Sequence, residues 1–375
     1  MHASKLKQKE YQPLKPASRH QSRAVTLITL FWVVVFLVAA EILLRMTCAY
    51  CTWTETNKGR FESPYAINEN SWYFVRTENS IGSYHQPEFD YEVRTNSMGF
   101  RDIEHPLTKA SGEIRILAIG DSFTEGQGAP FEQTWLSVLG RNLNRQDSTH
   151  RYTVMAAGVA GSDPFYEYRI LTDKLLAYQP DTVMMVVNGS DVIDVIVRGG
   201  EERFLPNGRV KGVEAPSGAV TWLYKNSHFA RFVLFEAFDY TYLMITRPER
   251  SRRAVEALEK IQTLIVKLDR LLKAKGIEFI LVVLPSRYDI KLDRYNELRN
   301  MQGLLDYSRA NDIRTIEVKP YLMDKLADDK TDLDKYFWPR DHHFTPLGYR
   351  YVAEAVQLGM CDQNPEPEEL PCPWP

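Results

Sequence analysis

Five short apolar runs, each bounded by turn residues and spaced by stretches of helical period, constrain this chain more than any other feature. They cover residues 114–119 (IRILAI), 152–157, 182–187 (TVMMVV), 277–284 (IEFILVVL) and 314–318. Between and after them, helical spacing is expected over 134–144, 165–178, 252–275, 304–310 and 348–358, with Gly276 ending the long third helix. Apolar runs of this length without alternation read as strands covered on both faces. Strands separated by helices make a parallel sheet sandwiched between two helical layers. Ligands of such sheets sit beyond the carboxyl ends of the strands. Chemistry is therefore expected just after Ile119, Ala157, Val187 and Leu284. No internal repeat is present.

The 375 residues exceed what one core needs, so appendages to a single large domain are expected. At 44% hydrophobic and 25% charged, the chain is neither extensively disordered nor a polytopic membrane protein. A net charge of -3 with scattered basic residues argues against nucleic acid as a partner. Residues 24–40 (AVTLITLFWVVVFLVAA) carry no charge, and Ile42, Leu43 and Leu44 prolong the run past Glu41. That is enough to span a bilayer as a helix. The basic flank Lys5, Lys7, Lys9, Lys15, Arg19 and Arg23 is of the kind that stays in the cytoplasm. Residues 1–23 read as a cytoplasmic tail, 24–46 as a transmembrane signal anchor, and the rest as a domain on the extracytoplasmic side, periplasmic or extracellular. A cleaved signal peptide, with Thr47-Cys48-Ala49 as a weak site, is the alternative.

Residues 47–110 form an aromatic and polar lead-in with a few short strands and turn signals at Ile81-Gly82-Ser83 and Asn96-Ser97-Met98-Gly99. The main domain runs over 111–360, interrupted by an aromatic insertion at 198–250 that suits a lid or a substrate wall. Residues 361–375 are a proline- and acid-rich tail, which Cys361 and Cys372 could close as a disulfide in an oxidising compartment. Cys48 and Cys51 form a CxxC with no second CxxC and no nearby histidine, so a structural pair fits better than zinc or redox work.

The strongest chemical segment is Gly120-Asp121-Ser122-Phe123-Thr124-Glu125-Gly126, directly after the first strand. A serine at a strand-to-helix turn presents its hydroxyl to the crevice, with backbone N–H groups at hand for a developing oxyanion. A serine that merely caps the following helix is the alternative. Its base must come from eight histidines. His2 and His20 lie in the tail; His85, His105, His150 and His228 fall in loops or the insertion, with no companion acid in a favourable setting. Asp341-His342-His343 precedes the last helix. Neighbouring residues on an extended turn point opposite ways, so Asp341 orients His343 rather than His342, the arrangement a nucleophilic serine needs. Adjacent histidines rarely converge on one ion, and no metal is expected. No cofactor is expected either, because Gly-Asp-Ser follows the first strand where a glycine-rich phosphate loop would stand.

Gly120-Asp121-Ser122-Phe123-Thr124 resembles the first block of SGNH/GDSL hydrolases, and Asp341-x-His343 with Gly348 resembles their last block. Asn96-Ser97-Met98-Gly99-Phe100-Arg101 is similar to a segment upstream of GDSF in membrane-anchored bacterial members. The likeness covers roughly residues 90–360 with the blocks in the right order. It implies a three-layer flavodoxin-like sandwich with a central parallel sheet of about five strands. It also implies an oxyanion hole from the Ser122 N–H, a glycine after the second strand, matched by Gly161, and an asparagine after the third. There the chain departs: Asn188-Gly189-Ser190-Asp191 stands where the family has Gly-Asn-Asp, so Ser190 or Asn188 supplies the third donor. A serine hydroxyl reaches less far than an amide, and losing one such donor costs about 10²–10³ in rate. Pro285-Ser286-Arg287 resembles a Pro-Ser-Arg of anchored members; Arg287 could meet an acidic sugar or pair with a surface acid.

The function these residues imply is ester cleavage through an acyl-serine, with removal of acetyl groups from a surface or secreted polysaccharide as the expected reaction. O-acetyl transfer to such a glycan is the alternative, and a lipid ester is a further substrate class. A non-catalytic glycan-binding or assembly protein is the reading from another class.

Overall fold

The computed structural model describes residues 19–48, 50, 65–66, 75–205, 218–240, 245–297, 299–326 and 332–361. Its strands are β1 (Tyr65–Ala66), β2 (Val75–Arg76), β3 (Ile81–His85), β4 (Asp90–Arg94), β5 (Glu113–Gly120), β6 (Arg151–Gly158), β7 (Thr182–Asn188), β8 (Glu278–Leu284) and β9 (Thr315–Glu317). Its helices are α1 (Arg19–Met46), α2 (Ser122–Glu125), α3 (Trp135–Gln146), α4 (Pro164–Asp173), α5 (Gly189–Arg198), α6 (Gly218–Asn226), α7 (His228–Glu236), α8 (Arg247–Lys273), α9 (Arg287–Lys291), α10 (Met301–Ala310), α11 (Val318–Lys325) and α12 (Pro346–Met360). They divide into two compact units. Residues 1–52 go with 216–239, and 53–215 go with 240–375.

The larger unit holds a five-stranded sheet in the order β6-β5-β7-β8-β9, parallel throughout. All five strands stand where the apolar runs predict them. Every residue of β7 is buried, as a central strand between two layers requires. Alternate side chains feed two cores. Leu117, Ile119, Val183, Met185, Leu281 and Val283 pack towards α4, α5, α8 and α10. Ile116, Ala118, Met184, Val186, Ile280 and Val282 pack towards α3, α11 and α12. This is the expected three-layer sandwich. The long helix stops where Gly276 takes φ +69.

The lead-in differs from expectation at one point. Ile81-Gly82-Ser83 is not a turn but the start of β3, paired antiparallel with β4 from Ile81↔Arg94 to His85↔Asp90. Cross-strand stacking of Tyr84 on Tyr91 (5.5 Å) and on Phe89 (5.9 Å) holds this hairpin straight through Gly82. The turn at residues 96–99 is present, with Gly99 at φ +76.

In the smaller unit, α1 includes Arg23–Met46, 24 residues within which an 18-residue window has mean hydropathy 2.7 and none of that window is buried. It is long and apolar enough to cross a membrane. Residues 216–239 of the insertion belong to this unit. Cys48 is disulfide-bonded; Cys51 and Cys372 lie outside the described residues.

Candidate active site

At the carboxyl edge of the sheet, β5 runs into α2, the short helix that carries Ser122 at its first position. Asp121 caps it, accepting the Phe123 N–H at 2.9 Å, and Gly126 closes it in the left-handed region at φ +82. The backbone of α2 lies so close to the end of β6 that a Cβ on Gly158 would collide with the main chain of Thr124 and Glu125. The serine is therefore clamped between two strand ends rather than displayed on a loop.

Ser122 Oγ lies 2.7 Å from His343 Nε2. The other ring nitrogen, Nδ1, is hydrogen-bonded to Asp341 Oδ1. Asp341 Oδ2 accepts from Gln127 Nε2 at 3.1 Å. Burial disfavours the imidazolium of His343, but the Asp341 carboxylate outweighs it and raises the pKa. Burial likewise opposes the charge on Asp341, yet His343 and its hydrogen bonds hold that pKa below the usual range. His342 points elsewhere. At φ +70 its ring lies 5.5 Å from that of Tyr288, and burial followed by the Arg287 charge lowers its pKa.

Gly161, at φ +76, sits in the turn after β6. Among the described residues, neither its N–H nor that of Ser122 donates to any group. Asn188, the last residue of β7, and Ser190 both turn to Asp121. Asn188 Nδ2 donates to Asp121 Oδ2 at 2.9 Å. The Ser190 hydroxyl lies against Asn188 Oδ1, and 3.3 Å from Asp121 Oδ2. Asn188 Oδ1 also accepts the Ser190 N–H at 2.8 Å and caps α5. An amide carries two N–H hydrogens and a hydroxyl one, so Asn188 has a hydrogen to spare and Ser190 has none. Arg287 donates to Asp334 and, at 3.3 Å, to the Phe337 carbonyl. Of the two partners its sequence left open, the structure places a surface acid beside it.

Several supports of the site escaped the sequence reading. Arg101 donates to the carbonyls of Gly126 (2.9 Å) and Ala129 (2.6 Å) and lies over the Tyr91 ring, fixing the turn after α2. Glu125 pairs with Arg76 in the interior and accepts the Ala160 N–H at 3.0 Å, tying the serine's helix to the loop that leads into Gly161. Glu88, at the tip of the β3–β4 hairpin, accepts from the N–H groups of Arg340 (3.0 Å) and Asp341 (2.8 Å). Glu125 stands inside the Gly120–Gly126 segment and Arg101 inside the upstream motif, so position alone could have flagged both. Nothing in sequence points to Glu88.

Three histidines set aside for want of an acid do have one. His85 pairs with Asp90 (2.9 Å), His105 with Asp102 (2.9 Å) and His150 with Asp147 (2.8 Å). In the last two, a turn folds an aspartate three residues back onto the ring. Among the described residues none of the three meets a serine hydroxyl.

Behind Asp121 lie the buried acids Glu167 and Asp191 and, partly exposed beside Arg198, Asp194. Burial, reinforced by mutual repulsion, raises Glu167 and Asp191 well above ordinary carboxylates and pushes Asp194 up to about 7. Glu167 accepts from Ser162 Oγ at 2.8 Å.

A parallel three-layer sandwich with a serine, a histidine and an aspartate in line at its carboxyl edge defines an α/β protein built like the serine hydrolases of that fold. Residues 244–371 match the family model described as SGNH hydrolase-like domain, acetyltransferase AlgX. They contain Asp341 and His343, whereas Ser122 lies before them. The match to an SGNH hydrolase-like domain covers less than half of the chain. Comparison with curated proteins found no match. Among solved structures, it is similar to a lipolytic protein of the G-D-S-L family from Desulfitobacterium hafniense, at 18% identity and a TM-score of 0.39 over 65% of this chain and 98% of that one. It is also similar to the acetyl xylan esterase AlAXEase (17%, TM-score 0.42, 65% and 98%). A third is Axe2, an acetylxylan esterase from Geobacillus stearothermophilus (13%, TM-score 0.41, 66% and 93%). At this level of overlap none of the three bears on what this chain acts on.

Proposed function

We propose that this protein is a serine esterase that removes acetyl groups from a polysaccharide outside the cytoplasm, tethered to the membrane by α1. The observation that carries the reading is the 2.7 Å contact between Ser122 Oγ and His343 Nε2, with Asp341 on the far side of the ring. In this arrangement Ser122 Oγ attacks the ester carbonyl carbon while its proton passes to Nε2. The carbonyl oxygen, now negative, is met by the N–H groups of Ser122 and Gly161 and by the spare Asn188 amide hydrogen. Collapse breaks the bond to the sugar oxygen, which takes the proton back from His343 and leaves as a hydroxyl. A water, deprotonated by the same ring, then attacks the acyl-serine and releases acetate. Arg287 would engage an acidic sugar only by giving up Asp334.

A second reading is favoured by one observation, the family model's description as an acetyltransferase. In that case a glycan hydroxyl replaces water in the second step, and the same residues serve. The basic flank of α1 and its single apolar run support an extracytoplasmic domain in both readings.

The test uses the full-length protein in detergent, wild type beside Ser122→Ala. A fluorophosphonate should label the wild type alone. Acetate release from an acetylated polysaccharide should vanish in the variant. Label with no acetate release, but with acetyl passing from an aryl acetate to a glycan, selects the transferase. A folded wild type that takes no label sinks both.

A further inference from the structure

We propose that the α6–α7 hairpin of the insertion is a membrane-interface element that lies on the bilayer beside α1, its aromatic face seated at the lipid headgroup boundary. The inference rests on the reading of α1 as a membrane anchor. Its starting point is where the hairpin is attached. Glu41 follows the uncharged run 24–40 directly. A carboxylate is costly inside hydrocarbon, so this turn of α1 marks the mouth of the span. The first turn of α7 is bonded there. Glu41 accepts from the Ser227 hydroxyl (2.9 Å) and from the N–H groups of His228 (3.1 Å) and Phe229 (2.8 Å). One turn further on, Arg45 donates to the Asn226 carbonyl at 2.7 Å. The hairpin therefore begins within about one turn of the end of the apolar run, which Ile42, Leu43 and Leu44 carry past Glu41.

A second set of bonds keeps it there. Arg231, buried, donates to the carbonyls of Tyr224 (2.6 Å), Lys225 (3.1 Å) and Tyr50 (2.8 Å), joining both helices to the chain just beyond α1. The Tyr50 ring lies edge-on to Phe232 and Phe235, and its hydroxyl donates to Glu236 at 2.6 Å. With Ser227, His228 and Arg231 engaged inward, the hairpin shows its large apolar side chains outward: Trp222 is 64% exposed and Phe238 61%, with Leu223, Phe232 and Phe235 also on the surface.

Water is a poor partner for such a face. The headgroup boundary, where tryptophan and other aromatic rings concentrate, is a good one. The charges of residues 218–240 balance, Lys225 and Arg231 against Glu236 and Asp239. Neutral lipid is accordingly sufficient, and the occupant is the bilayer that α1 already crosses rather than an anionic ligand.

The test is photolabelling of the full chain in phosphatidylcholine vesicles doped with a phospholipid that carries a diazirine near its headgroup, followed by peptide mapping. Label is expected on residues 24–44 and again on 218–240. The second label should be lost in Trp222→Ser/Phe238→Ser, while circular dichroism and the label on 24–44 stay unchanged. Label on 24–44 alone overturns the proposal and leaves the anchor standing; the aromatic face then meets a protein or the substrate. Label on neither segment overturns the anchor and the proposal together.

Discussion

Gln127 donates its side-chain amide to Asp341 Oδ2 at 3.1 Å, across 214 positions of sequence. Gln127 directly follows Gly126, the residue that closes the serine's helix, so the turn that fixes Ser122 also fixes the carboxylate that orients His343. Replacing Gln127 with alanine should let the carboxylate rotate without touching substrate. The expected loss is in kcat, up to about 100-fold for a misplacement on the order of 1 Å, with KM held. Steady-state hydrolysis of an aryl acetate reads the split, and a rise in KM at constant kcat would refute the positioning role.

The pH profile follows from the same pair. His343 works as a base only when neutral, and its pKa is raised above the ordinary 6.5. The acid limb of kcat/KM should therefore fall above 6.5. In Asp341→Asn, burial opposes the charged ring against only the weaker pull of Asp121 and Glu125, so that limb should move to lower pH while kcat drops on the order of 10⁴-fold. The stability linkage has the matching sign. The raised His343 pKa contributes stability that is full below 6.5 and lost as pH climbs through the folded-state value. An unmoved limb in the variant would detach Asp341 from the base.

Asn188 and Ser190 should behave differently. Asn188→Ser keeps a cap on α5 but removes the spare amide hydrogen, and should cost about 10²–10³ in kcat. Ser190→Ala removes a hydroxyl already committed to Asn188 or Asp121, and should cost less than about tenfold, since it withdraws no oxyanion donor. The reverse order would hand the third donor to Ser190.

Glu167 ties the buried acids to stability. Its folded pKa stands well above 4.5 because of burial. The stability it contributes is present below that value and drains as pH rises towards the folded pKa. Glu167→Gln cannot ionise and keeps an acceptor for Ser162. Thermal melts between pH 5 and 9 should show the wild type losing ground to the variant as pH increases. Parallel curves would mean that the Glu167 carboxyl titrates in the native state as it does in the unfolded chain.

Much of this molecule is legible in its sequence. The five strands and the helices that cover them followed from apolar runs and their period, because burial on both faces leaves a mark in every residue of a segment such as 182–187. Ser122 and the Asp341-x-His343 pair were legible because a strand-to-turn junction and an i, i+2 relation are local.

What sequence could not supply are relations between distant segments. Ile81-Gly82-Ser83 looks like a turn until Tyr84, Phe89 and Tyr91 stack across the hairpin. His105 looks solitary until a turn returns Asp102 to it. Backbone preference and hydrophobic period act over a few residues, and within that reach the chain alone determined its strands, its helices, its apolar N-terminal run and its chemical motifs. The order β6-β5-β7-β8-β9, the meeting of Ser122 with a histidine 221 residues away, the grip of Glu88 on Asp341 and the turning of Asn188 towards Asp121 were decided only in the folded molecule. Each depends on which strand ends come to lie side by side, and that is settled by packing the whole sheet at once.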